Sequence, residues 1–224
     1  MYKQINRLDM KKIGILGSGD VAKTLGNGFL KYGYQVMLGT RTPSKLDDWQ
    51  KQVGANGKVG TFAETAEFGE ILVLATKGTY AKESLALAAS SAFAGKTIID
   101  ATNPIADKPP VNGVLHFFTS LDRSLMEDLQ TSFPEGKFVK AFNSIGNPFM
   151  VNPDFGGVKP TMCICGNDEK SKTEVKVIVE LFGFEVEDMG NVEAARAIEP
   201  LCMLWCIPGL RENRWSHAFK LLKN

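Results

Sequence analysis

Short apolar runs alternate with amphipathic stretches along most of this chain, and that alternation leaves few folds open. KIGIL (12–16), YQVMLG (34–39), ILVLAT (71–76), TIIDAT (97–102) and KFVKAF (137–142) have the length of strands, with a brief further strand expected near Val59. ILVLAT holds no polar residue before Thr76, as a strand covered on both faces should. Between the strands, Val21, Leu25, Phe29 and Leu30 recur at helical spacing, and a short helix is expected around 45–53. Thr61 and Glu64 form a capping box for the helix FAETAEF, and further helices are expected over 79–92 and 121–132. Strand, helix, strand in this order, with right-handed crossovers, predicts an α/β protein. It is of Rossmann type, with a doubly wound, mainly parallel sheet.

The organisation changes in the last third. A Gly/Pro/Asn-rich loop (146–157) leads to TMCICG (161–166), a Glu/Lys-rich helix over 168–182 and a strand FEVEDM (184–189). The segment EAARAIEPLCMLWCI then reads as a helix interrupted at Pro200 and broken again at Pro208-Gly209. The expected division is a dinucleotide-binding domain over 11–145 and a small C-terminal α/β extension over 146–224 that completes the sheet and caps the cleft. The first dozen residues read as a loose polar arm.

Composition narrows the functional classes. The formal net charge is +1, which argues against nucleic acid and an anionic membrane surface as partners. No apolar run has spanning length, and no hydrophobic segment follows the charged start, so the expected location is cytoplasmic, without a membrane partner. Cys163, Cys165, Cys202 and Cys206 stand in apolar surroundings, and the C-x-C spacing of the first pair is not the usual one for structural zinc. They read as small buried hydrophobes, and no metal is expected.

The most informative local motif is IGILGSGDVA. Gly17, Gly19 and Ala22 give G-x-G-x-x-A between a strand and a helix. Gly17 allows the turn, Gly19 lets backbone approach a pyrophosphate, Ala22 permits close helix–strand packing, and the helix N-terminus supplies free amides. Domains that bind NAD usually close the second strand with a carboxylate for the ribose hydroxyls. Here that strand runs into Thr40, Arg41, Ser44 and Lys45, a set suited to a 2′-phosphate, so NADP(H) is the expected cofactor.

Ligands of open α/β sheets lie beyond the carboxyl ends of the strands. Those ends carry Thr76 and Lys77, then Asn103, then Asn143. Thr76 is placed to line a nicotinamide pocket, and the two asparagines either orient a carboxamide or tie down their own turns. Lys77 reads equally as a solvated loop charge. No acid–base couple is evident, and no residue is assigned as catalytic. Of the two histidines, His116 follows the Asn103-Pro104 turn and is the one with a route to a second substrate.

With these residues laid out, the chain resembles the coenzyme F(420)-dependent NADP oxidoreductases, which pass hydride between NADP and a deazaflavin. Their Rossmann domain also resembles the cytosolic part of the six-transmembrane metalloreductases. The resemblance rests on IGILGSGDVAKTLG, LGTRTPSK, FAETAEFGEILVLAT, IIDATNP, VKAFNSIG and DMGNVEAARAIEPLCMLW. It implies that Gly17, Ser18, Gly19, Asp20 and Val21 hold the pyrophosphate, and that Thr40, Arg41 and Lys45 hold the 2′-phosphate. Thr76, Lys77 and Asn103 would then follow the nicotinamide ribose, with Ala141 to Asn143 nearby. The acceptor would stack in a cleft walled by the His116 loop, Ile145 to Pro148 and the Pro200–Pro208 stretch, and the protein would be a homodimer. Lys77, Thr79 and Tyr80 depart from the apolar, proline-containing loop expected there.

The function expected from this set is NADP(H)-dependent hydride transfer to a small-molecule acceptor: a deazaflavin, a flavin or a similar planar ring. Two alternatives stay open. One is a non-catalytic NADP-binding redox sensor or partner subunit; the other is a small-molecule imine (pyrroline-carboxylate type) or hydroxy-acid dehydrogenase.

Overall fold

The computed structural model describes residues 11–223; the loose arm expected at the start falls almost wholly outside them. Six strands form one parallel sheet: β1 (Lys12–Leu16), β2 (Gln35–Gly39), β3 (Gly57–Gly60), β4 (Ile71–Leu74), β5 (Thr97–Asp100) and β6 (Lys137–Lys140). Their order is β3-β2-β1-β4-β5-β6, the doubly wound arrangement, whose topological switch lies between β1 and β4. In-register pairs such as Ile15↔Leu38 and Ile15↔Val73 put the carboxyl ends of the strands along one rim.

Both faces of the sheet are covered, which explains the apolar runs. Ile13, Ile15, Ile71 and Val73 point into one core with Leu25, Phe29 and Phe182. Leu16, Leu72, Leu74 and Phe138 point into the other, with Phe93 and Leu129. The flanking helices are α1 (Asp20–Lys31), α2 (Asp47–Val53), α3 (Phe62–Phe68), α4 (Ala81–Leu85) and α5 (Leu125–Ser132). Thr61 caps α3 in a full capping box: its hydroxyl accepts from the Glu64 amide at 3.2 Å, and Glu64 accepts from the Thr61 amide at 2.7 Å. Ser124 and Glu127 build the same device at α5.

Two helices differ from expectation. The helix expected over 79–92 is helical only at Ala81–Leu85, between short 3₁₀ turns. Alanine-rich sequence would favour more helix, but leaving it allows Ala92 and Phe93 to reach the core, where Phe93 packs edge-on to Phe133. Conversely, α7 (Ala195–Glu212) runs through both Pro200 and Pro208. Its buried stripe, Ile198, Cys202, Trp205 and Gly209, keeps helical spacing across the prolines. Beside Pro208 the Trp205 carbonyl meets the His217 ring nitrogen at 2.8 Å. Packing of the stripe outweighs the backbone bonds that the prolines cannot donate.

The C-terminal extension holds β7 (Thr161–Ile164), α6 (Glu169–Leu181) and β8 (Glu185–Asp188). The two strands pair in parallel as a small sheet of their own. It meets the main sheet at one antiparallel bridge, in which the Lys140 amide donates to the Cys165 carbonyl at 3.0 Å. Val175, Ile178, Val179 and Phe184 of this extension bury into the core that holds Ile13 and Phe29. Among the described residues, no helix is long and apolar enough to cross a membrane.

Candidate functional site: a two-part cleft at the strand ends

The cleft begins where β1 turns into α1. Gly17 has φ +151, outside the range comfortable for side chains, and its amide donates to the Gly39 carbonyl at 3.1 Å. A Cβ at Gly17 would overlap the Ala75 carbonyl, whereas the space beside Gly19 is open. The turn is therefore closed on the sheet side and bare on the ligand side. Gly19 caps α1 without a side-chain bond, which leaves the helix's first amides free for an anion.

From this turn the cleft runs in two directions. One part, about 310 Å³, is lined by Gly17, Ser18 and Gly19, by Thr40, Arg41 and Lys45 after β2, and by Lys77 and Tyr80 after β4. Its lining holds three cations and no carboxylate. Arg41 and Lys45 make no ion pair among the described residues, and the Arg41 guanidinium lies 6.0 Å from the centre of the Tyr80 ring. The Thr40 hydroxyl is committed to its own turn, accepting the Thr42 amide at 3.1 Å. The other part, about 380 Å³, is lined by Asp20, Val21, Ala75, Thr76, Lys77, Ala101 and Asn147. Gly19, Ala75, Thr76 and Lys77 border both parts, making the cleft continuous across the switch point.

The Thr76 hydroxyl is buried with no hydrogen-bond partner. A buried orphan of this kind calls for a partner that the protein's own side chains do not supply. Lys77 is held by Asp107, a pairing that raises the lysine pKa. Four expected residues lie off the wall: Ser44 is exposed on the 3₁₀ turn but lines neither part, Ala141 is fully buried, and Asn103 and Asn143 line neither part.

Asn103 and Asn143 meet each other behind the cleft. Asn103 donates to the Asn143 carbonyl at 2.8 Å; Asn143 donates to the Asn103 side chain at 3.1 Å and to the Ile198 carbonyl of α7 at 3.0 Å. They tie down one another's turns, not their own. The Asn143 side-chain oxygen alone is left without a partner. Phe142 delivers this geometry with φ +62, a strained value for a bulky residue that costs about 1–3 kcal/mol. Its packing against Phe182 and Phe184 holds it there.

Beneath these asparagines lies a charge cluster that sequence spacing did not reveal. The fully buried Lys140 ammonium contacts Asp100 at 2.7 Å, Glu199 at 2.9 Å and the Thr102 carbonyl at 3.0 Å. Burial pulls the lysine pKa down, but Asp100 and Glu199 outweigh it and hold it at about 12. Asp100 also accepts from the Thr102 amide and hydroxyl, at 2.9 and 2.6 Å. Glu199 accepts from the Leu125 and Met126 amides, both at 3.0 Å, so its charge sits at the N-terminus of α5. One cluster thus joins β5, β6, α5 and α7.

Neither histidine reaches the cleft wall. His116 lines a separate cavity of about 350 Å³ with Arg196, Glu199, Pro200 and Met203. His217 stacks on Trp205, ring centres 4.9 Å apart. The four cysteines are unpaired thiols; burial pushes Cys165 up to about 12, so it stays protonated. Thr42, Phe62 and Ser84 line the cleft without having been singled out from sequence, and Tyr80, noted there only as a departure from the family's loop, lines it too. Of these, only Tyr80, an aromatic just past a strand's carboxyl end, carried a usable signal.

A glycine turn bare toward the ligand, an anion-seeking second loop and a buried orphan hydroxyl define the geometry against which relatives can be set. Residues 12–104 match the family model for NADP oxidoreductase, coenzyme F420-dependent. That segment holds the whole cleft except Asn147. A candidate F420-dependent NADP reductase from Arthrobacter sp. FB24 is 28% identical, with a TM-score of 0.88 over 96% of this chain and 100% of that one. Metalloreductase STEAP3 of Rattus norvegicus is 29% identical over 204 residues, 89% of this chain. The chain spans only 38% of that relative's length. A reductive aminase from Aspergillus terreus in complex with NADPH shares the fold, with 17% identity and a TM-score of 0.64 over 87% of this chain and 59% of that one. The family and these relatives are named as oxidoreductases, reductases or reductive aminases, and NADP or NADPH recurs among them.

Proposed function

We propose that this chain binds NADP(H) in the two-part cleft and transfers hydride between it and a deazaflavin, flavin or similar planar acceptor. The observation that carries the reading is the free pair of cations, Arg41 and Lys45, beside the glycine turn in a lining without carboxylates. The amides following Gly19 would take the pyrophosphate, and Arg41 and Lys45 the 2′-phosphate. Thr76 would contact the nicotinamide half through its orphan hydroxyl, with Asp20, Val21 and Asn147 around it.

The nicotinamide, once bound, supplies the hydride chemistry; the chain's part is to place it and limit water around it. Hydroxy-acid and imine substrates need a proton donor beside the hydride. Among the described residues, the titratable side chains of the nicotinamide part are Asp20, exposed at the start of α1, and Lys77, which Asp107 holds; Tyr80 lines the other part, and His116 opens into a different cavity. This favours an acceptor that needs stacking more than proton relay. A homodimer and a cytoplasmic location belong to the same proposal; exposed Leu204 and Leu210 on α7, with Val111 and Val114 on the loop whose Gly113 packs against Arg211, offer apolar surface for a second copy.

Arg41→Ala is the direct test. Loss of a charge-assisted phosphate contact should weaken NADPH binding about ten- to hundredfold, with NADH binding changed far less. Equal loss for both nucleotides, measured by nucleotide fluorescence titration, would remove the 2′-phosphate assignment. Following NADPH absorbance with FMN, FAD, riboflavin and the deazaflavin in turn would then identify the acceptor.

A further inference from the structure

Behind the wall of the cleft lies another cavity, of about 750 Å³, larger than either part of the cleft. The segment 77–84 separates the two. Lys77, Tyr80 and Ser84 face the cleft, while Gly78, Thr79 and Lys82 face this cavity. The partition is stiff at Gly78, where any Cβ would overlap the Asn103 carbonyl. The volume is within the roughly 300–1,000 Å³ typical of small-molecule sites.

Its lining is apolar at the bottom and charged at the edge. Leu125 and Leu129 of α5 form the floor, and Phe118 presents a ring that is 46% exposed. Of the charged groups, Asp107 is taken by Lys77, and Asp128 by Arg123 at 2.7 Å. Arg123 spends Nε on Asp128 and Nη2 on Thr131, at 3.4 Å, leaving its other terminal nitrogen free. Lys82 has no ion pair among the described residues. Lys82 and Arg123 balance Asp107 and Asp128 in the lining itself, but Lys77 neutralises Asp107 from the cleft side of the partition, which leaves Lys82 without a counter-charge. A cation is repelled from such a site, and a neutral ring leaves Lys82 unanswered.

We infer that this cavity is a second ligand site, distinct from the dinucleotide cleft, for a small aromatic monoanion. Its ring lies against Phe118 and Leu125, and its acid group meets Lys82 and the free edge of Arg123. The inference does not depend on which dinucleotide, if any, the cleft takes.

The test is isothermal titration of the full chain with 2-naphthoate, in the absence and presence of saturating NADP⁺. One saturable site is expected, unaffected by NADP⁺. Its affinity should fall about tenfold or more in Lys82→Glu, and by a similar factor when 2-naphthamide replaces the acid. Ala106→Trp, which fills the cavity from the opposite wall, should abolish binding while leaving NADP⁺ affinity within about twofold, since Ala106 lines only this cavity. Binding displaced by NADP⁺, binding indifferent to Lys82→Glu, or no saturable binding in the wild type would each overturn the inference. Lys82 is exposed on α4, so its variant remains informative even if the tryptophan variant folds poorly.

Discussion

Replacing Lys140 with methionine tests how the cleft's supporting wall is held. The side chain is nearly isosteric, so little cavity is created, but the cation between Asp100 and Glu199 is lost. Both carboxylates are at most 2% exposed, and neither can turn to water. Removing one partner of a buried ion pair costs about 3–5 kcal/mol. The two amides at Glu199 and the Thr102 donors at Asp100 remain, which puts the expected cost at the lower end. At about 2–4 °C per kcal/mol for a chain of this size, the melting temperature should drop by roughly 6–15 °C at pH 7.

The pH dependence makes the prediction specific. In the wild type the raised Lys140 pKa gives stability that is complete below the unfolded lysine's value and lost only as pH climbs through about 12. In the methionine variant, two facing carboxylates drive one carboxyl pKa upward. A raised carboxyl pKa stabilises the fold at low pH, so the variant should recover part of its loss between pH 7 and 5. Asp100→Asn added to Lys140→Met should restore about half at pH 7. Thermal melts by circular dichroism would read all of this. A melting temperature within about 2 °C of wild type, or a deficit that does not shrink on acidification, would refute the charge argument.

Two further expectations follow from local geometry. The Arg196 guanidinium, with help from the Ser124 cap, lowers Glu127 from 4.5 to about 2 against the opposing effect of burial. Stability from this group is present above the unfolded value and lost as pH falls through about 2; the ceiling is about 3 kcal/mol. Arg196 is 39% exposed, so screening should leave about 1–2 kcal/mol, and Glu127→Gln should flatten acid unfolding between those limits. An acid-unfolding curve unchanged by the substitution would contradict the pairing. Gly17→Ala should abolish dinucleotide binding, because its Cβ overlaps the Ala75 carbonyl at φ +151. Unimpaired NADPH binding by this variant would mean that the turn does not carry the pyrophosphate.

The fold was legible because its determinants are local. Strand runs such as ILVLAT declare burial on both faces, and the Thr61–Glu64 spacing declares a helix start. The glycine turn and the Thr40–Lys45 loop were legible for the same reason: each is a contiguous stretch whose residues line one part of the cleft. Propensity failed where tertiary contacts decide. Pro200 and Pro208 look like breaks in α7, yet the helix is held by a stripe packed against the core. Asn103, Asn143 and Lys140 could not be assigned from spacing, since their partners lie 40, 55 and 59 residues away along the chain.

The stretches IIDATNP, VKAFNSIG and EAARAIEP supply Asp100, Lys140 and Glu199, together with Asn103 and Asn143. None of the three charged residues lines the two-part cleft. A buried charge cluster demands all of its members at once, since each is useless or harmful without the others. Likeness in these stretches therefore transfers the architecture that fixes the strand ends and α7, and with it the shape of the dinucleotide cleft. It carries little information about the acceptor, which meets side chains that this cluster only supports. The substrate must be read from the cleft's own lining, and there Thr76, Tyr80 and Asn147 are the positions at which relatives with different acceptors should diverge.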